Sequence, residues 1–253
     1  MSDFAVALIV LVCVFGSALF GLYLRPMLPH HHLDDDSIGV VKLAIGLIAT
    51  MAALVLGLLT SSAKSSFDTV NSSLVHNAAG VVRLDRMLAQ YGPEAQEVRG
   101  LLKQRYGTWI EALDSRDPVQ VASLGSVQAL REVEGLEHKL KELTPSNAEQ
   151  RQIQANAIQI ADDVLAARGL ALLEAASSLP TPLLVALVLW LSIIFGAFGV
   201  LTPINGTVVA ALFLGALSTS VAIFLILEMT TPLVGTFTVS FTPLRAALAI
   251  LAQ

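Results

Sequence analysis

The stretch "HHHLDDD", His30 to Asp36, sets three imidazoles and three carboxylates side by side. Both side chains are ligands for borderline or hard divalent ions, and histidines near neutrality can sense protons. His30, His31, His32, Asp34, Asp35 and Asp36 are therefore candidates for a metal or pH loop. Ligand spacing does not support a metal, because adjacent residues splay apart and no second cluster of His or Cys exists to complete a coordination shell. The third reading is a hydrated connector whose aspartates cap the helix that follows, where anions suit its dipole.

A second group starts at Lys42. Steps of three and four along a helix from Lys42 pass through Gly46, Ala49 with Thr50, Ala53, Gly57, Thr60 with Ser61, and Lys64, so one face is small or polar along its length. The other face carries Leu43, Leu47, Ile48, Met51, Leu54, Val55, Leu58 and Leu59. Such a stripe has two uses in a bilayer. Small side chains let helix backbones approach where hydrophobicity supplies no pairing force. Alternatively the stripe is a pore wall, in which lysines at both mouths concentrate anions and hydroxyls meet partly dehydrated ions. Lys42, as an ionisable group in an apolar run, faces protein or water or snorkels to the interface; Glu228 stands at a comparable boundary. No phosphate loop, nucleophile elbow, HExxH or Cys-x-x-Cys is present, so neither catalysis nor a cofactor is expected. His76 stands alone, and Asp85 with Arg86 and Asp162 with Asp163 fit a wetted face or a salt bridge.

The elements that position these groups follow from composition. The chain is 55% hydrophobic and 14% charged, with mean hydropathy +0.71, against about a quarter charged in soluble domains. An all-α integral membrane protein is expected. Four apolar runs are each long enough to cross about 30 Å of hydrocarbon: Phe4 to Leu24, Ile38 to Leu59, Leu183 to Leu201 and Thr207 to Leu227. The first lacks the basic start and small-x-small site of a cleaved signal peptide. The single Cys13 allows no disulfide within one chain, and a net charge of -5 offers no basic surface to nucleic acid.

The expected division is residues 1–60 for membrane helices 1 and 2, 61–179 for a helical cytoplasmic domain, 180–228 for membrane helices 3 and 4, and 229–253 for an interfacial C-terminal segment. The middle region holds 12 of the 15 Lys and Arg and 15 of the 20 Asp and Glu. Its apolar residues recur at helical spacing. Phe67, Val70, Leu74, Val81, Leu84 and Leu88 continue the second span without a breaker until Gly92-Pro93. Further helices are expected over 94–113 and 127–143. "SNAE", Ser146 to Glu149, matches a capping box with Ser146 as N-cap. The last segment is too broken by Pro232, Gly235 and Pro243 to span; a short helix with Thr242 as N-cap is expected, lying on the interface or against the bundle. Lys64, Arg168 and Arg245 on the bundle side, against Arg25 opposite, place the bundle and both termini in the cytoplasm.

The stretches "ALVLGLLTSSAKSSFD" and "LDRMLAQYGPEA", together with the terminal "ILEMTTPLVGTFTVSFTPL", resemble the bacterial membrane family labelled bestrophin-like, and the likeness covers nearly the whole chain. The resemblance implies a homo-oligomeric anion channel of the bacterial inner membrane, a pentamer or tetramer in a lipid bilayer, passing inorganic anions. It implies four spans with a helical cytosolic region between the second and third, and a pore lined by the second, Ile38 to Leu59. Bestrophins narrow that pore with bulky apolar rings, for which Ile45, Ile48 and Met51 are the candidates at another rotation of the helix. No acidic calcium clasp is evident. A non-conducting membrane scaffold or sensor, whose bundle docks a partner, is the alternative.

Overall fold

The computed structural model describes residues 3–27, 35–176 and 180–252, with side chains throughout except at 35–37 and 127–134. Everything regular among the described residues is helical. The helices are α1 (Asp3–Leu24), α2 (Asp35–Tyr91), α3 (Gln96–Asp114), α4 (Pro118–Ser123), α5 (Val127–Glu142), α6 (Ala148–Ala175), α7 (Thr181–Leu201), α8 (Gly206–Met229) and α9 (Thr242–Leu251). Four of them, α1, α2, α7 and α8, are long and apolar enough to cross a membrane. The chain divides into two compact units, one of residues 1–64 and 178–230, the other of 65–177 and 231–253.

In the first unit, α1, α7 and α8 pack with the start of α2 around Val10, Val14, Leu187, Ile194 and Ile223. Small residues bring α1 and α7 together. A Cβ added at Gly21 would lie 2.1 Å from the Gly196 carbonyl oxygen, and one at Gly199 would lie 2.2 Å from that of Ala18. Backbone thus meets backbone, the close approach that apolar helices need in lipid, where dispersion rather than water drives pairing. On α8, the buried Ser220 hydroxyl donates to the Ala7 carbonyl of α1 at 2.6 Å, and Phe213 meets Phe15 edge to face.

The second unit is built on the rest of α2. That helix is 57 residues long, whereas about 20 suffice to cross a bilayer, and no Gly or Pro interrupts 58–79. Its apolar stripe, Val70, Leu74, Val81, Leu84, Leu88 and Tyr91, joins Val98, Leu102, Trp109 and Leu113 of α3 and Ile160 and Val164 of α6 in one core. Gly92 ends α2 at φ 125°, a conformation nearly confined to glycine, and Pro93 cannot continue the helix. Orphan carbonyls at helix ends are met by α6: the Gln150 amide donates to Tyr91 O at 2.8 Å, and the Gln154 amide donates to Leu140 O and Leu143 O of α5's end. Asp85, nearly buried, accepts two bonds from Arg99 of α3, at 2.7 and 3.0 Å. The partner of Asp85 is therefore Arg99; the adjacent Arg86 points outward.

The start of α6 differs from expectation by one residue. Asn147, not Ser146, is the N-cap, its side chain accepting from Gln150 N at 2.7 Å. Gln150, not Glu149, reaches back, to the Ser146 amide and hydroxyl. Asparagine caps as well as serine, and the glutamine at the third helical position reaches back one residue beyond the N-cap, a variant of the capping box. Thr242 likewise is the first residue of α9 with Phe241 as its cap. The C-terminal segment packs into the second unit, where Leu233, Val239, Phe241, Leu244 and Leu251 are buried in the core. Arg245 on α9 pairs with Asp114 at the end of α3. Helix α4 opens on Asp117, whose side chain accepts from the Val119 amide at 2.9 Å, with Pro118 at its first position.

Candidate functional site

Within the first unit α2 has three sides. One is buried: Ile45 and Leu59 are almost inaccessible, with Ala52 and Ala63 between the same neighbours, and Ile48, Val55 and Leu56 are packed beside them. A second is apolar and bare, with Leu43 78%, Leu54 76% and Leu58 60% exposed. The third is the small and polar stripe. Lys42, Gly46, Thr50, Ala53, Gly57, Thr60, Ser61 and Lys64 are all exposed, and a Cβ added at Gly46 or Gly57 would meet nothing within 4 Å. The contrast with Gly21 and Gly199 separates two uses of glycine. On α1 and α7 the missing side chain is filled by a neighbouring backbone; on α2 it leaves open surface.

The bulky candidates fall on different sides. Ile45 and Ile48 pack into the protomer's own core, whereas Met51 is 47% exposed and lies beside the bare leucine face. The threonine hydroxyls on the stripe are already committed as donors, Thr50 to Gly46 O and Thr60 to Leu56 O, each at 2.8 Å. Such back-bonding on a helix turns oxygen lone pairs, rather than O–H donors, toward whatever occupies the open side. Glu228, at the end of α8, is buried.

His30, His31, His32 and Asp34 lie outside the described residues. Asp35 and Asp36 open α2, with side chains outside the description as well. Among the described residues no group of three or more His, Cys, Asp or Glu converges on a point that could hold a metal ion. Cys13 and His76 are exposed. In the second unit, Tyr106 and Trp109 are buried with ring centroids 5.7 Å apart, and the Arg168 guanidinium sits 5.3 Å from the Trp109 ring. Burial pushes the Tyr106 phenol well above its ordinary pKa. The α1 and α7 crossing has a signal in the sequence, since "GSALFG" and "FGAFG" carry its small residues at helical spacing.

The Bestrophin-like domain profile matches residues 10–244, most of the chain. The chain belongs to the Bestrophin-like family. Its fold agrees. A solved structure of a mutant bacterial bestrophin homolog from Klebsiella pneumoniae superposes with TM-score 0.64, covering 100% of this chain and 99% of that one, at 14% sequence identity. At that identity the likeness speaks for the architecture. No functionally curated protein matches the sequence. This bestrophin-like protein is thus an all-helical membrane protein with four long apolar helices.

Proposed function

We propose that this protein is a homo-oligomeric, anion-conducting channel of the bacterial inner membrane, with α2 lining the conduit and both termini and the second unit in the cytoplasm. The observation that carries the reading is the open small face of α2: residues that would serve helix packing are left uncovered by the protomer, in a family whose name likens it to bestrophins. A ring of copies, five or four, would enclose that face. Lys42 and Lys64, both exposed near the ends of the stripe, would supply the positive potential that raises local anion concentration. Thr50 and Thr60 add little to anion preference as they stand, since their protons are used on their own helix. None of the bulky residues shares that face: Ile45 and Ile48 are enclosed within the protomer and Met51 lies beside the bare leucines, so a conduit along the stripe is not narrowed by any of the three.

The test is the reversal potential in planar bilayers under a salt gradient. Lys42→Glu and Lys64→Glu should weaken or reverse anion preference. A reversal potential unmoved by both charge reversals counts against the lysines, and no flux at all from the wild-type oligomer would leave the family fold serving as a non-conducting scaffold.

A further inference from the structure

Helix α6 changes character along its solvent-facing side. From its start to Asp163 the exposed positions include Arg151, Gln152, Gln159, Asp162 and Asp163. Beyond Asp163 they are Ala166, Leu170, Leu173 and Ala176, with Leu170 49% and Leu173 74% exposed. The two charged side chains in this last part are withdrawn: Arg168 lies against the Trp109 ring, and both it and Glu174 are half-buried. The fully exposed positions over the final three turns are therefore all apolar. The core does not need them, since Ala157, Ile160, Ala161, Val164 and Ala171 on the opposite side already fill it. The chain then proceeds to Thr181, where the membrane-length helix α7 begins.

We infer that the last three turns of α6 lie in the lipid interface, with Leu170 and Leu173 inserted among the acyl chains beneath the headgroups. The occupant is bilayer lipid because the bare face grows as the chain approaches a spanning helix, and because the loss of exposed charge begins at one level, past Asp163. Interfacial helices bury such a face about 5–10 Å below the headgroup boundary. Asp163 and Leu173 are ten positions apart on one helix, or about 15 Å at the α-helical rise, so one end can be in water while the other is in lipid. Arg168 is drawn against the Trp109 ring and Glu174 is half-buried, so neither charge is among the fully exposed positions of this face. This assignment does not depend on conduction.

The experiment uses the full-length oligomer with Cys13→Ser, carrying one environment-sensitive fluorophore at Leu173→Cys, Leu170→Cys or Asp163→Cys. The protein is reconstituted into vesicles of phosphatidylethanolamine and phosphatidylglycerol with or without phosphatidylcholine spin-labelled near the headgroup end of its acyl chain. Each position is among the exposed ones, and monodisperse elution checks each variant. Labels at 173 and 170 should be quenched by the spin-labelled lipid and protected from aqueous iodide, with the order inverted at 163. Iodide quenching at 173 equal to that at 163 overturns the inference, as does protection from both quenchers, which would show protein covering the leucines.

Discussion

Alanine placed at Gly199 and alanine placed at Gly57 should have opposite consequences, although both are single methyl groups on apolar helices. At Gly199 the new carbon would lie 2.2 Å from the Ala18 oxygen and 2.8 Å from the Leu22 nitrogen. Ordinary contact begins near 3.4 Å, so α1 and α7 must part by roughly 1 Å, and a gap of that size forfeits about a quarter to a half of each dispersion contact across the seam. The obstacle is backbone, which cannot rotate away. Overpacking costs about 1–3 kcal/mol, against up to about 1 kcal/mol returned by alanine's better helix propensity; with backbone on both sides the upper part of the range applies, giving a net loss of about 2 kcal/mol. At Gly57 the methyl meets nothing within 4 Å, and only the helix-propensity gain of up to about 1 kcal/mol remains. Reversible unfolding in mixed micelles, followed by circular dichroism on detergent-dispersed monomer, separates the two. Equal stability of Gly199→Ala and wild type would refute the backbone seam. Equal destabilisation of both variants would show that Gly57 is packed within the protomer and remove the open face on which the channel reading rests.

Removing one member of the Asp85 and Arg99 pair should cost the second unit about 2–3 kcal/mol, at or below the lower edge for broken buried pairs because the Arg99 side chain is 26% exposed; Asp85→Ala with Arg99→Leu should cost less than Asp85→Ala alone, read as Tm. A double variant as unstable as the worst single would show that the pair is packing rather than charge. The Tyr106 phenol, pushed up by burial, should stay protonated above pH 10 while the bundle is folded. Its neutral form is favoured in the native state, so this contribution to stability is complete below the ordinary phenol pKa of 10.0 and declines as pH rises toward the folded value. Absorbance at alkaline pH should show Tyr106 ionising only with unfolding, and Tyr106→Phe should lessen the alkaline loss of stability.

Long apolar runs and the 3.6-residue repeat made the four apolar helices and the continuation of α2 legible, because both depend on local side-chain periodicity. Gly92-Pro93 was legible for the same reason: the sterics of one glycine and one proline decide the helix end. Pairings that span sequence were not legible. Asp85 sits next to Arg86 in the chain yet binds Arg99, since neighbours on a helix diverge by about 100° and only the fold of α3 against α2 brings a guanidinium to the carboxylate. The shift of the α6 cap to Asn147 turned on which of two good capping side chains accepts the Gln150 backbone amide, while the Gln150 side chain itself takes the Ser146 amide and hydroxyl. On the candidate face, the order of Lys42, Gly46, Ala53 and Gly57 could be read from spacing, but whether that face was filled could not. Small residues at α1 and α7 carry a similar signature and are filled.

The seam between Gly21, Gly196, Gly199 and Ala18 has a mechanical corollary. With peptide groups touching directly, there is no layer of rotamers between α1 and α7 that could rearrange to let one slide past the other. The two helices form a stiff plank. The contacts of α2 with its neighbours run instead through side chains such as Ile45 and Leu59, which can adopt alternative rotamers.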